Sequence, residues 1–435
     1  MEPSPLTEKA TQETKKERYI FGISFNVLLL GFVSLFTDIS SEMITAIMPL
    51  FIISIAGANA IIALGFIDGI SNAVANIIKG VSGYLSDKLK KRKAFVILGY
   101  SISNIAKPFI GLQSDWRAVL GLKVTDRIGN GIRVAPRYAL ISYYADQSLF
   151  DLSETESRSG LNFGIHRTFD TMGAILGALL AALLLFVGLT YGQVILWSIL
   201  PGFIAILVLI AVKDVKEDKI LSMKQKISLK KTEKKDKLPQ PELVKSEKLS
   251  PQLKKLILSL SIMEFASVDI AFVMVRAADV VAAEWVILLY ATFNIVSALL
   301  ATPLGKFADK IGKQKVITTG LSVLLIISLL LTLPIENWSI GMWIVILVFP
   351  LFGVYMSIVE TGSKAFVSDI TGKNKKGKIY GYYYFLVGAL SIPESILFAF
   401  LYQYYGYAFA FGFATILLAI CIVIFAKEDF SRKDI

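Results

Sequence analysis

The two side chains that build most metal centres and many nucleophilic sites are nearly missing. The 435 residues contain one histidine and one cysteine. Cys421 alone forms no intramolecular disulfide, and His166 alone supplies no His–His metal pair. Charge is also scarce: 18% of residues are Asp, Glu, Lys or Arg, and these are clumped between long apolar stretches. Residues 1–18 are polar and lack the apolar core of a secretory signal, so the first hydrophobic run is expected to stay in the membrane. These absences exclude a disulfide-stapled secreted domain, and they leave no metal site to expect.

Hydrophobic residues, in contrast, make up 55% of the chain. A bilayer-spanning helix needs roughly 20 apolar residues, so a soluble or disordered protein is excluded. Net charge is +11. In a soluble chain that would point to nucleic acid; here its placement carries the information, and no nucleic-acid partner is expected.

Hydropathy marks twelve segments. In the first half they cover residues 23–53, 60–82, 94–112, 117–145, 160–187 and 193–212. In the second they cover 254–275, 284–303, 316–333, 339–363, 377–404 and 408–426. Short connections alternate between lysine-rich (residues 88–93, 306–315 and 373–378) and nearly charge-free. Lys/Arg excess marks the cytoplasmic side, which puts both termini there. The expected architecture is an all-α membrane protein of twelve transmembrane helices in two pseudo-symmetric six-helix bundles, residues 23–212 and 254–426. Residues 1–22 and 427–435 form cytoplasmic tails. Residues 213–253 carry twelve lysines and seven acids without apolar periodicity, a solvated linker with nothing to bury.

The halves echo each other. Gly83, followed four residues later by Asp87 and then a base, recurs 222 residues on as Gly305, Asp309 and Lys310. Gly160 and Gly164 are matched by Gly377 and Gly381 at the start of the corresponding later span. Duplicated halves are a common transporter architecture, with the substrate site near the midplane between them. At this point the chain resembles the major facilitator superfamily, whose cytoplasmic motif between helices two and three reads like Gly83 to Lys93. The resemblance implies alternating access by a monomer in the cell (inner) membrane. It further implies a cytoplasmic gate built by Gly83, Asp87 and Arg92, with Gly305 and Asp309 in the second copy. Arg127 with Gly131 resembles the helix-four motif of proton-coupled members, in which the arginine governs protonation of an acid. Gly173 and Gly177 look like part of the antiporter motif, and close helix packing explains them equally well.

Ionisable residues inside spans are costly and tend to face a cavity or the bundle interior. Their spacing is helical: Asp38, Glu42, Thr45 and Pro49; Asp68, Asn72, Ala75 and Lys79; Asp126, Asn130, Arg133 and Arg137; His166, Asp170, Gly173 and Gly177. Each set follows i, i+4, i+7, i+11 and so lies on one helix face. The first span holds two acids and no base, so these acids need partners from elsewhere, an arrangement that protonation can break. Asp38 and Glu42 are therefore the proton-coupling candidates, with H+ as the expected coupling ion and no other cofactor. Arg127, Asn130, Arg133, Arg137, His166, Arg167, Asp170 and Glu264 are the substrate-cavity candidates. Glu264 is chosen because it lies about 15 Å into its helix, near mid-depth.

The leading expectation is proton-coupled export of a small organic molecule, and not an enzyme. The alternative is proton symport of an organic anion, motivated by Arg133, Arg137 and Arg167. A membrane sensor would require a folded signalling domain, for which 213–253 is too polar.

Overall fold

The computed structural model describes residues 19–20, 23–89, 91–151, 159–213, 251–337, 340–370 and 376–427. The tails and most of the central linker lie outside these residues. So do the side chains of Asp87 and Asp309, which the sequence placed in the gate. A two-residue antiparallel pair, Tyr19–Ile20 with Ile23–Ser24, precedes the helices, a small departure from the all-α expectation. The first-half helices are α1 Phe25–Ala56, α2 Ala60–Leu89, α3 Arg92–Ile110, α4 Trp116–Asp151, α5 Ser159–Phe186, α6 Tyr191–Trp197 and α7 Ile199–Ala211. Those of the second half are α8 Pro251–Phe265, α9 Ile270–Ala277, α10 Ala283–Ile311, α11 Lys313–Leu331, α12 Gly341–Ile370, α13 Lys376–Tyr405 and α14 Tyr407–Lys427.

Nine segments among the described residues are long and apolar enough to cross a membrane, the first of them holding both α1 and α2. Helices α3 and α4 fall outside that set. Their polar residues are turned inward instead: Lys107, Lys123, Asp126, Arg133 and Arg137 are all buried. Protein packing, not lipid contact, accommodates these charges.

Two expected spans are interrupted. Thr190 opens α6 with a reciprocal capping box to Gln193, which satisfies two orphan backbone donors. The helix stops at Ser198, because Pro201 has no N–H to bond back to Trp197. The second break separates α8 from α9 at residues 266–269, where the Asp269 carboxylate accepts from the Ala271 N–H at 2.9 Å and caps α9. The span expected over 254–275 is one apolar segment, Lys255–Ala277, built from two helices.

The repeated Gly/Asp motif also differs from expectation. Gly83 and Asp87 belong to the last two turns of α2, and Gly305 and Asp309 to the end of α10, rather than to loops. Helix α10 runs on through Pro303, and in the second copy the turn waits for Gly312 at φ +98°, a conformation favoured by glycine. Gly83 does serve close packing, since a Cβ there would lie 3.2 Å from Ala135 Cβ on α4.

Glycine notches set the helix spacing throughout. A Cβ on Gly65 or Gly69 of α2 would meet the Ser395 or Ser391 carbonyl of α13 at 2.7 or 3.1 Å, which brings the two halves into backbone contact. At the end of the bundle bearing the Gly57–Asn59 turn, Gln403 Nε2 donates to the Ala58 carbonyl at 2.8 Å. Phe186 and Trp285 also meet there edge to face at 5.9 Å.

In the second half Arg276, 1% exposed, ties α9 to the segment before α12. It donates to Asp279 at 2.8 Å, to Glu336 at 2.6 Å and to the Leu333 carbonyl at 2.7 Å, and its guanidinium lies 3.5 Å from the Tyr407 ring centroid. Desolvation pushes the Glu336 carboxyl up, but its backbone hydrogen bond and Arg276 outweigh this and hold it below its ordinary value. Arg276→Met is expected to cost about 2 kcal/mol, because the acids it leaves behind are partly solvated. Glu336→Gln should cost less. The Glu336 contribution is present above the ordinary pKa of 4.5 and is lost as pH falls through the lower folded value. Thermal unfolding of the purified variants against pH checks both expectations.

Candidate functional site

The acids of α1 sit where α5 is notched to receive them. A Cβ at Gly173 would lie 2.6 Å from the Leu35 carbonyl and 2.9 Å from Asp38 Cβ. One turn on, a Cβ at Gly177 would lie 2.6 Å from the Ile39 carbonyl and 2.9 Å from Glu42 Cβ. The G-x-x-x-G of α5 is therefore a packing device, and its effect is to fix the height and rotation of both carboxylates. Asp38 and Glu42 are each half-buried. Glu42 Oε2 accepts a hydrogen bond of 2.7 Å from Tyr290 Oη on α10, in the other half of the chain. Charges act on Asp38 from Asp170, Arg137, Arg133 and Glu42.

Beside Asp38 lies a polar knot of four helices. Arg137 Nη1 donates to Ser34 Oγ at 2.7 Å and to Tyr100 Oη at 3.1 Å, and Nη2 is 3.9 Å from Asp170 Oδ2. Ser34 donates to Asp170, and His166 Nδ1 lies 3.3 Å from the same carboxylate. Arg133 stacks its guanidinium over Tyr100, 4.4 Å from the ring centroid. The sequence candidates Arg133, Arg137, His166 and Asp170 thus converge, joined by Ser34 and Tyr100, whose ordinary residue types gave no signal. Arg167 does not join them. One position from His166, it faces outward and is exposed.

Arg127 and Asn130 are half-buried on α4. The Nε of Arg127 has no hydrogen-bond partner among the described residues, and its charge acts on Glu42, Asp68 and Asp269. Asp126 accepts from Ser103, and Lys107 donates to Asn104 at 3.3 Å. Lys123 was not singled out in the sequence, yet it is 5% exposed and acts on the same acids as Arg127.

The principal cavity lies elsewhere, between α2 and the second half, with a volume of about 350 Å³. Asn72 and Asn76 come from α2, Glu264 and Asp269 from the α8–α9 break, Tyr355 from α12 and Glu394 from α13. Of the substrate-cavity candidates, Glu264 alone lines it; the arginines and His166 do not. Asp269 and Glu394 escaped selection because neither belongs to a repeating polar stripe. A helix break is what carries Asp269 inward, and Pro393 immediately precedes Glu394. Rings connect this cavity to the acid on α1: Tyr290 to Phe293 at 5.4 Å, Phe293 to Phe352 at 5.6 Å and Phe352 to Tyr355 at 5.3 Å. The last three of these residues face the cavity.

Comparisons with known proteins agree with this architecture. The family model described as Major Facilitator Superfamily matches residues 27–392 and 256–433. The uncharacterized MFS-type transporter MJ1317 of Methanocaldococcus jannaschii is 34% identical over 388 residues, covering 87% of this chain and 89% of that protein. The uncharacterized protein Rv2265 of Mycobacterium tuberculosis is 22% identical over 392 residues, covering 86% of each. Among solved structures, the nucleoside transporter NupG superposes with a TM-score of 0.71 at 13% identity, over 93% of this chain and 100% of that one. A bacterial homologue of the human lysosomal transporter Spinster, in an inward-facing and occupied conformation, gives 0.67 at 14%, over 92% and 95%. At these identities the structural likeness speaks for the fold alone.

The notch geometry makes a direct prediction. Gly177→Leu should force α5 off α1 and lower the melting temperature of the purified protein by several degrees. Gly164→Ala, on the same helix with nothing within 4 Å of an added Cβ, should leave it unchanged. A differential scanning measurement of the two variants side by side reads the contrast.

Proposed function

The chain belongs to the major facilitator superfamily and is a multi-pass membrane transport protein, and from that premise we propose that it exports a small organic molecule in exchange for protons. The observation that carries the reading is the Glu42–Tyr290 hydrogen bond between the halves, continued by the ring ladder to the cavity. When ionised, Glu42 accepts a charge-assisted bond, roughly twice as strong as a neutral one. A proton on Glu42 weakens that bond and loosens the halves at the end where Gln403 and Ala58 meet. Substrate in the cavity shifts the same rings from the other side. Each ligand then biases one two-state rocking motion, which is what coupling requires.

In this reading α3 and α4 are spans as well, completing twelve helices in two bundles, residues 23–212 and 254–426, with both termini in the cytoplasm. The lysine-rich connections support that orientation. The end carrying the Gly57–Asn59 turn then faces outside, where Gln403 and Ala58 join the halves. The protein works as a monomer in the cell membrane. Asp38, held against the Arg137 knot, is a second proton site that senses the same field. The gate residues Gly83 and Asp87 act at the inner end of α2, Arg92 at the start of α3, and Gly305 and Asp309 at the inner end of α10. The anion-symport alternative draws support from Arg127 and Arg133, whose Nε atoms have no partner among the described residues.

Metabolite levels inside and outside cells expressing wild type, Asp38→Asn, Glu42→Gln or Tyr290→Phe test this reading. A compound depleted inside and enriched outside with wild type alone is the expected outcome. Tyr290→Phe, which keeps the ring and loses the donor, should reduce export about tenfold. Accumulation inside would favour symport. Full export by both acid variants would remove the α1 carboxylates from the mechanism.

A further inference from the structure

Among the described residues, the cavity beside the α8–α9 break is lined by three carboxylates, Glu264, Asp269 and Glu394, and by no basic side chain. The geometry points to a compact organic cation as the molecule this cavity takes, with its ammonium group on Glu394 and its apolar body against the ring wall. This rests on the transport reading above and supplies the substrate class which that reading leaves open.

Glu394 carries the argument. It is 8% exposed, yet only one of its oxygens is satisfied: Oε2 accepts from Ser395 at 2.7 Å, and Oε1 has no partner among the described residues. Glu394 lines the cavity, and its unpaired Oε1 is buried in the wall. A buried carboxylate oxygen without a donor is costly, and here the surroundings do not relieve it. The charges acting on Glu394 are Asp269, Glu264 and Asp68, all acidic. Asp269 differs, because Ala271 N–H, Arg127 and Lys123 already offset its charge. Lys79 is another base nearby among the described residues. It donates to Asn76 at 3.2 Å and lies 5.8 Å over the Tyr384 ring, outside the lining. A cation arriving from outside is therefore the group that completes the site.

The remaining wall suits the same ligand. Phe293, Phe352, Tyr355, Tyr383 and Tyr384 line the cavity with aromatic faces, and ring faces attract desolvated ammonium groups, quaternary ones especially. A volume of about 350 Å³ lies at the small end of ligand sites, which run to about 1,000 Å³. That favours a small amine over an extended peptide or dinucleotide. An anion would enter against three carboxylates.

Titration calorimetry on the purified full chain, with benzylammonium and phenylmethanesulfonate as aromatic probes of similar size and opposite charge, tests the assignment. The ammonium is expected to bind and the sulfonate not. Glu394→Gln should weaken ammonium binding at least tenfold, Glu394→Asp should hold it within a few-fold, and Glu284→Gln, outside the cavity, should not change it. Circular dichroism and melting curves establish that each variant is folded. Sulfonate binding in place of ammonium, equal ammonium affinity in wild type and Glu394→Gln, or no ammonium binding by folded wild type would each overturn the assignment. Binding in detergent needs no gradient. A chain that binds the ammonium but moves no protons would therefore contradict the coupling reading alone.

Discussion

A carboxylate held inside a helix bundle must find a donor or a proton, and Glu42 finds its donor on the opposite half of the chain. The Tyr290 hydroxyl that satisfies it sits on α10, whose next turn carries Phe293 into the cavity wall. In the proposed reading the bond is a structural tie and a proton sensor at once. It is strong while Glu42 is ionised and weaker once a proton arrives. Around it, the glycines of α5 leave no slack in the position of α1, so a change in the bond is passed to the halves rather than absorbed by a sliding helix. Packed interfaces of this kind switch between arrangements instead of deforming gradually.

The charges divide into two populations with different work. On the first-half side Arg137, Asp170, His166, Ser34 and Tyr100 form a closed network across four helices. Its hydrogen bonds stay within that half, although Arg137 Nε and His166 Nε2 have no partner among the described residues, and it sits beside Asp38 as an electrostatic floor. On the second-half side Asp269 caps α9, and Glu394 lines the cavity with one oxygen unpaired among the described residues. A site that must bind and release its ligand needs such incomplete coordination, whereas a scaffold does not.

Much of this was legible in the sequence. Long apolar runs, lysine-rich connections and the echo of Gly83 and Asp87 at Gly305 and Asp309 led to the family. The i, i+4 spacing led to Asp38 and Glu42, and to the convergence of Arg137, His166 and Asp170. The cavity was not legible. Depth led to Glu264, but periodic spacing picks out acids only where charges recur on one helix face, and Glu394 is the one acid of α13. The break that turns Asp269 inward contains neither proline nor glycine, so hydropathy ran straight through it. Tyr290 was invisible for another reason: a tyrosine in an apolar run reads as an ordinary core ring until its partner across the halves is known.

The central claim is that protonation of Glu42 releases the halves at the end bearing the Gly57–Asn59 turn. Spin labels on Asn59→Cys and Tyr405→Cys, with Cys421→Ser, report that separation by pulsed electron resonance. Wild-type protein should shift from a short to a longer distance as pH falls from about 8 to about 5. Glu42→Gln, which mimics the protonated acid, should show the longer distance throughout. A distance that ignores pH and is the same in wild type and Glu42→Gln would contradict the account.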